Sequence, residues 1–122
     1  MPADARSEEF DGSTLTDEPS DGHGARCVTL TGEIDVANGE HLRDALSEIL
    51  RESNTQRMAV DLAGVTFLDS SGLGALLAAK HEADSIAIRS DVTATSSAVA
   101  RAIEIAGLTE FLNVARSRQS PR

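Results

Sequence analysis

The chain has 122 residues, of which 40% are apolar and 2% aromatic, and its formal net charge is −9. These values indicate one globular domain with an aliphatic core. The negative charge and the scarcity of aromatic side chains argue against direct binding of nucleic acid or of an anionic membrane, and the single cysteine, Cys27, excludes an internal disulfide.

The N-terminal part of the chain is polar and weakly patterned. Residues 1–9 are acidic and have no periodicity, which predicts a disordered N-terminus. Residues 14–16 predict a weak edge strand. Apolar and polar residues alternate over residues 26–31, which indicates a half-buried strand, and Gly32 is expected to bend or bulge it.

Helical periodicity dominates three later stretches. Apolar residues recur at intervals of three and four, as Leu42, Ala45, Leu46 and Ile49 do, and this spacing is typical of an amphipathic helix. The predicted helices cover residues 37–51, 70–83 and 96–107.

Short strands are predicted between these helices, over residues 57–62, 86–88 and 111–114. The resulting order, β-β-α-β-α-β-α-β, predicts an α/β domain over residues 10–114, with a largely parallel sheet of about four or five strands. Residues 115–122 form a short basic tail.

The segment over residues 65–74 predicts a buried strand that runs through a tight turn into a helix. A serine at that corner, Ser70, would have its hydroxyl at the positive end of a helix dipole, where a phosphate would meet free backbone N–H groups. Alternatively, Ser70 or Asp69 is simply a helix N-cap, and Gly72 and Gly74 allow close packing. The residues alone favour this second interpretation.

Four stretches of this chain resemble the STAS-domain anti-sigma factor antagonists. They are Thr31-Gly32-Glu33-Ile34-Asp35, Val60-Asp61-Leu62, Phe67-Leu68-Asp69-Ser70-Ser71-Gly72-Leu73-Gly74, and residues 98–108. The resemblance covers roughly residues 25–114. It implies a single STAS-type domain with a mixed, mostly parallel sheet of four to five strands packed against three to four helices.

The resemblance also implies a function. The unphosphorylated antagonist would bind an anti-sigma factor with a histidine-kinase-like ATPase fold and so free a sigma factor. That anti-sigma factor is also the serine kinase that would phosphorylate Ser70 and end the complex, and a PP2C-type phosphatase would reverse the modification. The partner-binding residues implied in this chain are Asp35, Asp69, Ser70, Ser71 and Gly72.

Two departures from the family pattern stand out. Many relatives have one more helix after the last strand, whereas only residues 115–122 remain here, so that a monomer and a weak dimer are both open. Ser96-Ser97 stands where relatives often begin a helix with Ser-Pro. A second function, that of a STAS-fold scaffold or sensor subunit in a larger signalling assembly, also remains open.

Other kinds of site have little support. Ser70 lacks the Gly-x-Ser-x-Gly setting of a hydrolase nucleophile, and His81 would lie about three helical turns, roughly 16 Å, from it. No catalytic residue, metal site or cofactor is predicted, so the chain is not expected to be an enzyme. No apolar stretch has the length of a membrane span or the setting of a signal peptide, which predicts a cytoplasmic protein.

Overall fold

Strands and helices alternate along most of the chain. The computed structural model describes residues 5–20, 22–52 and 54–115. Within these residues there are five strands, β1 (Arg6–Phe10), β2 (Ser13–Pro19), β3 (Ala25–Ile34), β4 (Arg57–Leu68) and β5 (Arg89–Thr95), and three α-helices, α1 (Gly39–Leu50), α2 (Ser70–Ser85) and α3 (Ser97–Ile105).

The five strands form one mixed sheet in the order β1-β2-β3-β4-β5. The pairs β1–β2 and β2–β3 are antiparallel because short connections join them. The pairs β3–β4 and β4–β5 are parallel because α1 and α2 carry the chain back across the sheet. The predicted single α/β domain with a mixed sheet is therefore confirmed.

The core lies on one face of the sheet. Along β3 and β4, buried residues such as Val28, Leu30, Val60 and Leu62 alternate with half-buried or exposed ones, so a single face carries the apolar side chains. The helices pack on that face, and the residues of the predicted stripe of α1 are all buried. Each large aliphatic side chain buried in this way contributes roughly 1.5–3 kcal/mol.

The expected distortion of β3 at Gly32 is present. Its pairing with β4 shifts register on either side of residues 31–32, and Gly32 has a φ of +97°. The shift lets β3 and β4 run on together to Ile34 and Leu68, which are paired. Both parallel strands thus end at the same edge of the sheet.

The predicted disorder of residues 1–9 is wrong for residues 6–9, which belong to β1; residues 1–4 lie outside the described part. Arg6 pairs with buried Asp17, and the ring of Phe10 stacks on His41 of α1 at 4.4 Å. These tertiary contacts stabilise β1, a strand that the sequence pattern of residues 6–10 does not indicate. Residues 14–16 consequently lie in β2, between β1 and β3, and not at an edge.

The predicted strand over residues 86–88 is also wrong. Ile86 caps the C-terminus of α2, and Ala87 has a φ of +60°, so this stretch is a turn and β5 begins at Arg89. The expected strand over residues 111–114 is reduced to one parallel bridge between Val92 and Val114. Most of the predicted basic tail, residues 116–122, lies outside the described residues.

Candidate functional site

The corner between β4 and α2 is built around Asp69. Leu68 ends β4 and Ser70 begins α2, so Asp69 occupies the N-cap position with extended backbone angles. Its Oδ1 accepts hydrogen bonds from the backbone N–H groups of Ser71 at 2.8 Å and Gly72 at 3.1 Å. Of the two predicted candidates for the N-cap, Asp69 therefore has this role, and Ser70 does not.

Ser70 and Ser71 face different surroundings. Ser70 is exposed, whereas Ser71 is half-buried. A Cβ added to Gly39 at the start of α1 would lie 3.2 Å from the carbonyl oxygen of Ser71 and 3.3 Å from its Cβ. Ser71 therefore lies against α1, and Ser70 is the serine of this corner that is open to a partner.

Gly72 is buried and is required by packing. A Cβ at this position would lie 2.4 Å from Cδ1 of Leu68 and 3.0 Å from Cγ2 of Ile34. The first turn of α2 can therefore approach the ends of β3 and β4 only with a glycine here. Gly72 supports the corner through this close approach and through the N–H group that it donates to Asp69.

Asp35 lies at the same edge of the sheet, just after β3. Its Oδ1 accepts a hydrogen bond from the N–H of Ala37 at 2.9 Å, and its carbonyl oxygen accepts one from Gly39 at 2.8 Å. The N–H of Asp69 donates to the carbonyl oxygen of Ile34 at 3.2 Å. The structure thus places Asp35 and the Asp69–Gly72 corner at the ends of two paired strands.

The sequence did not reveal the supporting role of Asn38. Asn38 is 1% exposed, and it makes no side-chain cap to α1. Its Nδ2 donates to the carbonyl oxygens of Glu33 at 2.8 Å and Asp11 at 3.0 Å, and its Oδ1 accepts from the N–H of Asp35 at 3.0 Å. It therefore ties the β1–β2 turn to the loop that carries Asp35. The Asp-x-x-Asn spacing of Asp35 and Asn38 is the local sequence pattern of the loop that carries Asp35.

The expectation that a phosphate on Ser70 would meet free N–H groups needs correction. The N–H groups of Ser71 and Gly72 are already occupied by the Asp69 carboxylate. A phosphate on Ser70 would therefore lie at the surface beside the Asp69 carboxylate, and the negative charge of the phosphate would face a bound partner.

Two of the three histidines, His41 and His81, make ring contacts with phenylalanines. His41 lies between the ring of Phe10 and the carboxylate of Glu8, with its Nε2 2.7 Å from Oε1 of Glu8. His81 contacts the ring of Phe111 near the far end of α2. Neither of these contacts involves Ser70.

In residues 5–20, 22–52 and 54–115, no group of three or more His, Cys, Asp or Glu side chains is arranged to hold a metal ion. Over the same ranges, no helix has both the length and the apolar composition needed to cross a membrane.

Asp69→Ala is expected to lower the free energy of unfolding by about 1–2 kcal/mol, because two N–H groups at the start of α2 lose their acceptor. Asp69→Asn should cost distinctly less, since asparagine also caps helices well. Urea denaturation of the two variants beside the parent measures both effects. Equal losses for alanine and asparagine would show that the carboxylate acts through its charge and not through the cap.

Comparison with known proteins gives matches over most of the chain. Residues 18–120 match the family model described as STAS domain. The chain is 32% identical to the anti-sigma-F factor antagonist RsfB of Mycobacterium tuberculosis over 95 residues, which cover 78% of this chain and 76% of that protein.

Solved structures give the same result. An anti-sigma factor antagonist from Mycobacterium paratuberculosis superposes with a TM-score of 0.75 at 28% identity, covering 86% of each chain. The anti-sigma factor antagonist SpoIIAA in its unphosphorylated form superposes with a TM-score of 0.69 at 22% identity, covering 85% of this chain and 90% of the other. The phosphorylated form of Bacillus SpoIIAA has a TM-score of 0.63 at 21% identity, with coverage of 85% and 93%. The two SpoIIAA likenesses support the fold alone.

Proposed function

Because the chain belongs to the STAS-domain family of anti-sigma factor antagonists, we propose that it is itself an anti-sigma factor antagonist controlled by phosphorylation of Ser70. The unphosphorylated form binds an anti-sigma factor that is also a serine kinase, and this binding frees a sigma factor. Phosphorylation of Ser70 by the same partner ends the complex, and a PP2C-type phosphatase restores it. The protein acts by binding and not by catalysis, in the cytoplasm.

The observation that carries this proposal is the exposure of Ser70 at the corner between β4 and α2. The residue directly follows the helix N-cap Asp69 and begins α2, so its backbone belongs to the first turn of the helix. A kinase can reach the hydroxyl without unfolding any part of the domain. Asp35 and Asp69 lie at the same edge and complete the surface that the anti-sigma factor covers.

The chemistry of phosphorylation explains why the complex would end. A phosphate adds roughly −1.5 to −2 charges at neutral pH. Because Asp69 already occupies the N–H groups of Ser71 and Gly72, these groups do not neutralise the new charge. The charge must then be buried, unpaired, in the interface, and an uncompensated buried charge costs on the order of 3–5 kcal/mol. Binding should weaken by about two orders of magnitude or more.

Titration calorimetry tests the proposal directly. The unphosphorylated protein is titrated into each anti-sigma factor of the source genome that has a histidine-kinase-like ATPase domain, with and without nucleotide. At least one should bind, and the protein phosphorylated at Ser70 should bind that partner at least ~100-fold more weakly. Uniform absence of binding would refute the proposal and favour a scaffold or sensor role for the same fold.

A further inference from the structure

One dipeptide at the start of α1 has a chemically labile sequence. Asn38 is followed by glycine, whereas the other two asparagines of the chain, Asn54 and Asn113, are followed by the β-branched residues Thr55 and Val114. The side-chain amide of an asparagine can be attacked by the backbone nitrogen of the next residue, and glycine hinders that attack least because it has no side chain. Asn38 is therefore the asparagine whose sequence setting favours spontaneous deamidation.

The reaction is a ring closure followed by hydrolysis. The backbone nitrogen of Gly39 forms a bond to Cγ of Asn38, and the bond from Cγ to Nδ2 breaks. The amide nitrogen leaves as ammonia, with the proton that the Gly39 nitrogen gives up. Water then opens the cyclic succinimide at either carbonyl carbon, which produces aspartate or isoaspartate. The net reaction consumes water and releases ammonia.

The fold favours both residues of this dipeptide. Asn38 is buried, its Nδ2 donates to two backbone carbonyl oxygens, and its Oδ1 accepts from the N–H of Asp35. A Cβ on Gly39 would lie 3.2 Å from the carbonyl oxygen of Ser71, so the contact of α1 with α2 favours glycine there. The labile pair is thus a consequence of how the start of α1 is packed.

The same contacts oppose ring closure in the native protein. The N–H of Gly39 donates to the carbonyl oxygen of Asp35 at 2.8 Å, and ring closure removes this hydrogen. The Nδ2 group that leaves carries the hydrogen bonds to Glu33 at 2.8 Å and to Asp11 at 3.0 Å. Asn38 and Gly39 are also buried, which limits the access of base and water. The reaction therefore requires that the start of α1 first opens.

The products do not fit the native site. A carboxylate has no hydrogen to donate, so aspartate at position 38 would place a negative oxygen against the carbonyl oxygens of Glu33 and Asp11. The hydroxyl of Ser13 lies 3.3 Å from Nδ2, but it already donates to the carbonyl oxygen of Phe10. Isoaspartate would lengthen the backbone between β3 and α1. A buried charge without donors destabilises the fold, and so does the longer backbone.

We propose that Asn38 is a deamidation site that the native fold keeps closed, and that the reaction proceeds from chains in which the start of α1 has opened. Each event replaces a hydrogen-bonded neutral amide by a buried charge. The reacted chain is therefore less stable and opens more often than the parent chain. Because hydrolysis is not reversed, deamidation removes opened chains from the native population in one direction.

Peptide mapping by mass spectrometry tests the reaction itself. The full chain is incubated in warm, mildly alkaline buffer, both folded and unfolded in guanidinium chloride, and deamidation is followed at all three asparagines. Asn38 should react at least ~100-fold more slowly in the folded protein than in the unfolded one. In the unfolded chain it should react well before Asn54 and Asn113. Equal rates at Asn38 in the two states, or equal rates at the three asparagines of the unfolded chain, would overturn the proposal.

Thermal unfolding of two variants tests the effect of the product. Asn38→Asp reproduces one product, and Asn54→Asp makes the same chemical change at an exposed position. Asn38→Asp should lower Tm by at least ~5 °C or prevent folding, whereas Asn54→Asp should shift Tm by less than ~2 °C. Equal Tm values for the two variants would show that the site tolerates aspartate, and the one-way removal would then be wrong. Neither measurement uses a partner protein, so the result does not depend on the proposed function.

Discussion

Replacing Ser70 with alanine is expected to abolish phosphate incorporation by the anti-sigma factor kinase, whereas replacing Ser71 with alanine is expected to leave it. Ser70→Ala should also bind the anti-sigma factor nearly as tightly as the parent, and it should keep the protein in its sigma-releasing form when ATP is present. The fold should barely change, because Asp69 and not Ser70 caps α2.

The geometry of the corner gives the reason. Consecutive helical residues point about 100° apart, so the two hydroxyls cannot both face one active site. Ser70 is exposed, and Ser71 is packed against Gly39 at the start of α1. Ser71 is therefore the less accessible of the two serines.

Mass spectrometry of the protein after incubation with the kinase and ATP locates the phosphate. Loss of incorporation in Ser71→Ala, with incorporation retained in Ser70→Ala, would overturn the assignment even if the family function stands.

Ser70→Asp is a useful third variant. It should weaken binding less than phosphate does, because it adds one charge where phosphate adds nearly two.

A second large effect is expected far from this corner, at the buried ion pair of β2 and β3. Asp17 is 0% exposed; its Oδ1 accepts from Nε of Arg26 at 3.1 Å, and its Oδ2 accepts from Nη2 of Arg26 at 2.9 Å and from Nε of Arg6 at 3.2 Å. Asp17→Asn should lower the free energy of unfolding by about 3–5 kcal/mol, because it leaves the buried Arg26 guanidinium without its carboxylate. Urea denaturation measures the loss.

Asp91→Asn is the matched control, since it breaks an ion pair with the largely exposed Arg89 and should cost about 1 kcal/mol or less. The double variant Asp17→Leu/Arg26→Met should recover much of the loss if the buried charge of Arg26 is its cause. A small effect of Asp17→Asn, similar to that of Asp91→Asn, would mean that water reaches the guanidinium and replaces the carboxylate.

The sequence predicted the helices well because their periodicity is local. The apolar stripe of α1, from Leu42 to Ile49, is buried as expected, and α2 begins at Ser70 as predicted. The corner could be placed for the same reason: an apolar strand, an Asp-Ser-Ser-Gly turn and a helical stripe follow one another within a few residues. The strand β1 was missed because Phe10 is its only buried residue, and its stability comes from contacts with Asp17 and His41, which are distant in sequence.

The other failures have physical causes that a local pattern does not contain. Ile86 and Ile88 alternate as in a strand, but the helix before them continues to Ser85, and Ala87 takes the left-handed conformation of the turn. The contact of Ser71 with Gly39 joins residues 32 positions apart. The anchoring of Asn38 likewise joins residues 27 positions apart.

The close approach of α1 to α2 at Gly39 and Ser71 bears on how the proposed phosphorylation of Ser70 would act. The two helix starts are in direct contact, and the strand ends beneath them are joined through the N–H of Asp69 and the carbonyl oxygen of Ile34. These contacts hold the backbone on both sides of the corner. We therefore expect the proposed phosphorylation of Ser70 to act through the charge and size of the phosphate at the surface, with the backbone of the two helix starts the same in both forms.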